Sequence, residues 1–212
     1  MIRRLLTPAV VAMTTLAPVA AAQRVEVAPF VGYRAGSDLS DIIGRTAQIP
    51  GHLSYGGILS IAFWPKLGFE FLYSHQGTTL ERPPPVTGAP PEILDFSVDQ
   101  WGLAGFKEFS AGRFRPFLNA LLGITRFTSA DFEGSDTQFT FGPGLGVKLF
   151  TPSTRVGLRL DARSYLTLTT AKSFLLCDPP NPCAGTYKDD LFFQGEVTAA
   201  VVIALRGASP PR

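Results

Sequence analysis

The sequence predicts an all-β chain, an eight-stranded antiparallel transmembrane β-barrel. It is an up-and-down meander with four long external loops and short periplasmic turns. Three observations predict it. An apolar leader opens the chain and no spanning helix follows. Apolar and polar residues alternate with a period of two in segment after segment. The connections between these segments alternate between tight and long, as in an outer-membrane barrel.

The leader comprises residues 1–22. Arg3 and Arg4 supply a positive start, Leu5 to Ala22 is uncharged and mostly apolar, and Ala20-Ala21-Ala22 places small residues before Gln23. This is the pattern of a secretory signal peptide. No Cys follows directly, so a lipoprotein anchor is not expected. Cleavage would remove two Arg and take the formal net charge from +2 to 0. The rest of the chain holds no run near the roughly 20 apolar residues of a spanning helix. An exported apolar chain of this kind is either soluble or a membrane barrel. Residues 23–205 are read as the barrel domain and 206–212 as a short polar tail.

The alternation assigns a face to each residue, because successive strand side chains point to opposite sides. Val25, Val27, Pro29, Val31 and Tyr33 oppose Glu26, Ala28, Phe30, Gly32 and Arg34. Tyr55 to Phe63 and Leu67 to Tyr73 follow the same rule. Ile93 to Phe109 starts with Leu94, Phe96 and Val98 against Asp95, Ser97 and Asp99, then blurs near Gln100 and Trp101, where a bulge is expected. Arg115 to Phe127, Phe139 to Leu149, Val156 to Arg163 and Glu196 to Leu205 complete eight strands. Trp64-Pro65-Lys66, Ser110 to Arg113 and Thr151 to Thr154 are the tight turns. The long loops run roughly from Ala35 to Gly51, Thr78 to Glu92, Ser129 to Asp136 and Thr169 to Asp190.

Which face is apolar separates a soluble barrel from a membrane one. The mixed face is expected to carry Glu26, Arg34, Glu70, Asp95, Asp99, Lys148, Arg159, Asp161, Arg163 and Glu196. Such a set would leave a soluble barrel without a hydrophobic core, yet it can fill a narrow lumen with ion pairs. The other face is nearly uncharged, as lipid demands, since Arg or Lys there costs roughly 2–4 kcal/mol at mid-membrane. Charged residues are only 17% of the chain, against roughly 25% in soluble domains. With 45% hydrophobics and mean hydropathy +0.18, a disordered chain and a coiled coil are excluded. A net charge of +2 without a basic cluster argues against a nucleic-acid partner.

Val27-Ala28-Pro29-Phe30-Val31-Gly32-Tyr33, Phe69 to His75, Arg115-Pro116-Phe117 and Gly157 to Arg163 carry a resemblance. The chain resembles the small eight-stranded outer-membrane barrels of Gram-negative bacteria, the broad OmpA/OmpX-like group, over nearly all of residues 24–205. The resemblance implies an outer-membrane location, with both termini periplasmic. One departure is the end of the last strand, Leu205, where such barrels usually place an aromatic residue. Some barrels resembling this one deacylate lipid A with a lipid-facing His and a Ser two residues later. Here His75 has the lipid-facing parity, but Gly77 and Thr78 stand where Ser and Asn are needed, and Ser74 points the other way. No orienting acid is apparent beside His75 either. Without a nucleophile the activated-nucleophile logic fails, so no catalytic residue is assigned.

The expected role is structural or surface-interacting, through the external loops, with a lumen plugged by ion pairs. A lipid-modifying enzyme and a narrow channel are the alternatives. The expected partners are outer-membrane lipid, including lipopolysaccharide, and an extracellular ligand or surface partner. The expected state is monomeric, with no cofactor and no metal. The Pro-rich stretch from Pro83 to Pro91 reads as a stiff surface loop rather than a recognition motif. Arg159, Asp161 and Arg163 read as an ion-pair network rather than a ligand site.

Cys177 and Cys183 enclose Asp-Pro-Pro-Asn-Pro in the last long loop. Export through an oxidising compartment favours a disulfide over free thiols or a metal site; zinc would need further ligands, and no His is near. A membrane-impermeant thiol reagent is expected to label this loop only after reduction. Labelling of unreduced cells would refute the bond.

Overall fold

The computed structural model describes residues 24–36, 39–40, 46–47, 50–82, 92–129, 135–152, 155–168 and 191–206. Eight long strands close into one barrel: β1 (Arg24–Ala35), β4 (His52–Trp64), β5 (Leu67–Arg82), β6 (Glu92–Glu108), β7 (Phe114–Ser129), β8 (Ser135–Phe150), β9 (Val156–Leu168) and β10 (Leu191–Arg206). Between β1 and β4 stands a minimal hairpin of β2 (Leu39–Ser40) and β3 (Thr46–Ala47). Each barrel strand pairs antiparallel with its chain neighbours, and β1 closes on β10. The leader, the tail beyond Arg206, the Pro-rich stretch, and Cys177 with Cys183 lie outside the described residues.

The register defines the barrel's shape. Cα partners run from Arg34 through Glu196, Arg163, Gly144, Asn119, Phe106, Gly68 and Ala62 to Arg24. One circuit therefore lands ten residues lower on β1. Eight strands with that stagger tilt by about 40° and enclose a lumen that side chains fill. Pro29 and Pro143 lack an amide hydrogen, and the ladder skips them on one side each, with no change of register.

Short turns gather at one end. Two residues join β4 to β5, and the Glu108 amide donates to the Lys66 carbonyl at 2.7 Å. Phe109 N donates to Pro116 O at 2.9 Å across the next turn, and Thr151 N to Val156 O at 2.9 Å across the third. At the other end the strands run further than the sequence suggests. β5 continues to Arg82, where a loop was expected from Thr78, because its ladder with β6 persists to the Arg82–Glu92 pair.

The outward face is apolar. Leu59, Phe71, Leu103, Leu118, Leu122, Leu145, Leu158, Leu160 and Val201 are all exposed. Phe63, Trp64, Phe69, Phe109 and Phe114 ring the short-turn end, while Tyr33, Tyr55, Tyr73, Trp101, Phe139 and Phe193 lie toward the other. An apolar band between aromatic girdles is the signature of a barrel in lipid. Arg34, Glu70, Lys148, Glu196 and Arg159 are buried inside, the reverse of a water-soluble protein. Among the described residues no helix is long and apolar enough to cross a membrane. The chain is an outer-membrane barrel.

One strand departs from the expected parity. In β6 the inward residues are Val98, Gln100, Gly102, Ala104, Phe106 and Glu108. Asp95 and Asp99, expected in the lumen, therefore lie on the outer face; Asp95 is exposed and Asp99 half-buried. The expected bulge near Gln100 and Trp101 is absent, for β6 pairs without a shift with both β5 and β7. The cause is depth. Toward the external end the outward face leaves the hydrocarbon, so a carboxylate is tolerated there and polarity stops reporting the side.

Leu118 lies near the middle of the outward apolar run of β7. Leu118→Arg is expected to lower unfolding stability in lipid vesicles by about 2–4 kcal/mol. An unchanged denaturant midpoint would show that this face does not contact lipid.

Candidate functional site in the lumen and at the outer rim

Every second residue of every strand is forced inward, and the charged ones meet partners from distant strands. Near the short-turn end, Arg24 Nη2 reaches Glu108 Oε1 at 2.5 Å and Arg24 Nε lies 2.6 Å from Glu26 Oε1. Lys148 Nζ donates to Glu26 Oε2 at 2.8 Å and to Glu108 Oε1 at 3.1 Å. Arg115 Nη1 is 3.9 Å from Glu108 Oε2. Above this group Arg159 grips Glu70 with both terminal nitrogens, at 2.5 and 2.9 Å, and Asp161 with Nε at 2.5 Å. Ser60 adds a hydroxyl bond to Glu70 at 3.0 Å. The faces of Phe106 and Phe117 take up the rest: Lys148 Nζ is 4.8 Å from the first ring centroid and Arg159 Cζ 4.4 Å from the second.

A second network lies nearer the long loops. Arg34 Nη2 donates to Glu196 Oε1 at 2.9 Å, and Tyr165 and Ser74 hydroxyls donate to Glu196 at 2.7 and 3.0 Å. Arg34 also bonds Ser74. Arg163 Nη1 donates to the Tyr165 hydroxyl at 3.4 Å, and Arg163 Nη2 lies 3.7 Å from Asp161, linking the two networks. Between them Phe30, Ile58, Leu72, Ala104 and Leu121 form a buried apolar cluster. Toward the outside the hydroxyls of Thr125, Thr140 and Thr167 meet, with 2.5 Å between the first two and 2.9 Å between the last two. Phe127 and Phe192 cross edge to face at 5.7 Å, both buried.

Glycine makes room for this filling. A Cβ on Gly146 would stand 2.6 Å from the Phe117 ring, and one on Gly144 3.3 Å from Cγ of Arg163.

Of the ten charged residues expected in the lumen, Glu26, Arg34, Glu70, Lys148, Arg159, Asp161, Arg163 and Glu196 are inside and ion-paired. Asp95 and Asp99 are not. Arg24, Glu108 and Arg115 belong to the network and were not anticipated. Their signal was parity: Arg24 shares that of Glu26, and Arg115 that of Phe117. The inward set holds six cations and five carboxylates, named above.

Asp99 instead accepts from Tyr73 Oη at 3.0 Å and sits 2.7 Å from His75 Nδ1, on the outer face. His75 thus has the acidic partner its sequence neighbourhood did not suggest. The Tyr55 ring lies 5.1 Å from the His75 ring and Trp101 lies 5.5 Å from Tyr73. Among the described residues, no group of three or more His, Cys, Asp or Glu is placed to hold a metal ion.

Arg34 is fully buried against Glu196. Arg34→Met is expected to cost about 3–5 kcal/mol, because it strands a buried carboxylate. Adding Glu196→Gln should recover much of that loss, and equilibrium unfolding of both variants measures it. A double variant no more stable than the single one would deny the pairing.

Solved structures share this architecture. The chain is similar to Neisserial surface protein A, at 16% identity with TM-score 0.54, covering 84% of this chain and 96% of that one. It is similar to the outer membrane protein AlkL, studied in DMPC bilayers, at 13% identity with TM-score 0.56, covering 90% and 94%. It is similar to the outer membrane protein OprG of Pseudomonas aeruginosa, at 11% identity with TM-score 0.50, covering 85% and 96%. At these identities the likeness concerns the fold. No protein-family model matches the chain, and no curated protein matches it.

Proposed function

We propose that this outer-membrane barrel is a closed scaffold whose function resides in its external loops, which contact an extracellular ligand or surface partner. It sits in the membrane as a monomer, among lipids that include lipopolysaccharide. The observation that carries the reading is the ion-paired lumen. Lys148 lies between Glu26 and Glu108, Arg159 between Glu70 and Asp161, and Arg34 on Glu196, all buried. A solute crossing this lumen would have to separate charges that are costly to leave unpaired. It would also have to part the apolar cluster of Phe30, Leu72 and Leu121. Polar rigidity inside and long loops outside suit a presenting platform better than a conduit.

The reading assigns no enzymatic activity. His75 has an orienting Asp99, but Gly77 occupies the place of a nucleophile on its strand. Overexpression is expected to leave the acylation of lipid A unchanged, and an altered acylation pattern would restore the enzyme alternative.

Planar-bilayer recording of the purified wild-type barrel tests the closed lumen. The expected outcome is no large, stable single-channel conductance. Its appearance would replace the scaffold with a channel.

A further inference from the structure

The outer face carries one polar cluster that the closed-scaffold reading does not use. Its members come from three adjacent strands. His75 on β5 and Asp99 on β6 are register partners, and Asp99 is in turn the partner of Arg126 on β7. All three side chains have outward parity. Asp99 is occupied: Tyr73 and His75 both bond its Oδ1, and its side chain is only 17% exposed. His75 Nδ1 is committed to Asp99, which leaves Nε2 on the far side of the ring. Among the described residues nothing pairs with Nε2 of His75, and the exposed guanidinium of Arg126 has no ion-pair partner. The barrel thus presents two unengaged nitrogen groups outward, one strand to either side of a shielded carboxylate.

Their heights differ in a useful way. Because a register row falls ten residues on one circuit from β1 through β10, it climbs when followed from β4 toward β8. The climb is about 3 Å per strand at this tilt. His75 therefore lies deepest, level with the aromatic residues Tyr55, Tyr73 and Trp101 of the outer girdle, and Arg126 lies further out. A carboxylate near this depth is disfavoured without donors, which accounts for the partners Asp99 has in Tyr73 and His75. At Arg126's depth the membrane offers headgroup phosphates, for which a guanidinium has the matching donor geometry. Just below a phosphate, a lipid such as lipid A offers hydroxyl groups, and Nε2 of a ring whose Nδ1–H is given to Asp99 is an acceptor for one.

We propose that Arg126 and His75 form a binding site for a phosphorylated lipid of the outer leaflet, Arg126 holding the phosphate and Nε2 of His75 accepting from a hydroxyl beneath it. Tyr55 and Trp101 flank the bound lipid, and Asp99 is a positioning residue that fixes the imidazole's orientation. The site lies on the outer wall and is independent of whether the lumen is closed.

Trp101 supplies the test, since the chain has two tryptophans and the other, Trp64, lies at the short-turn end. The full barrel carrying Trp64→Phe, folded in detergent micelles, is titrated with brominated phosphatidic acid, brominated diacylglycerol and lipid A, and Trp101 fluorescence is read. Phosphatidic acid and lipid A are expected to act saturably, and diacylglycerol is not. Arg126→Ala should weaken the apparent affinity for both lipids by about tenfold, the loss of one charge-assisted hydrogen bond, and His75→Ala that for the hydroxyl-bearing lipid A by several-fold. Arg126→Lys should retain part of it. Heat-modifiable gel mobility confirms folding, and Arg126→Gln and His75→Phe give the same readout where an alanine variant does not fold. Equal quenching by diacylglycerol, or unchanged affinity in both loss variants, would overturn the proposal. Displacement by inorganic phosphate at lipid-like concentrations would also overturn it, since it would mark a site for a soluble anion.

Discussion

Closure of eight strands at a stagger of ten residues governs this molecule. The closed sheet has no free edge and a fixed, narrow bore. Half of each strand must enter that bore, whatever its chemistry, because side chains alternate. Lipid restricts the other half to apolar groups over the hydrocarbon thickness. Polar residues of the spanning segments therefore collect inside, where water is scarce and each charge needs a partner. Arg24, Glu26, Glu70, Glu108, Lys148 and Arg159 satisfy one another across a lumen bounded by all eight strands.

The filling is layered. Two charged networks are separated by an apolar cluster on opposed strands and linked through Arg163, which faces Asp161 on one side and Tyr165 on the other. Aromatic rings serve as the walls against which the long cations lie, as with Phe117 under Arg159 and Tyr165 beside Arg34. The glycines of β8 leave the volume these rings and guanidinium groups occupy. Such an interior holds the strands in one register from within.

The outer wall is less uniform than a lipid-facing surface requires. On β9 and β10, Leu168, Leu191 and Phe193 keep the wall apolar to the external ends of the strands. On β5 to β7 the same face turns to His75, Asp99 and Arg126. The barrel thus has a sidedness toward lipid that its lumen does not share.

Strict alternation made most of this readable from the chain. In β1, β8, β9 and β10 one parity is uncharged throughout, so the sequence alone places Glu26, Arg34, Lys148, Arg159, Asp161, Arg163 and Glu196 inside. β6 defeated the same reasoning, because Val98 turns into the lumen and Asp99 out toward the rim. Polarity identifies a face only at hydrocarbon depth, and the sequence does not mark where that depth ends. Arg24, Glu108 and Arg115 are not legible as lumen residues in the sequence, because they stand at strand ends, where charges are ordinary. Which charge meets which was decided by the tertiary structure alone. Glu70 meets Arg159, 89 residues away, through the barrel's interior. Asp99 meets His75 because the β5–β6 register sets them opposite. Local pattern specifies the side a residue takes; shear and closure specify its neighbours, and those are properties of the whole circuit of strands.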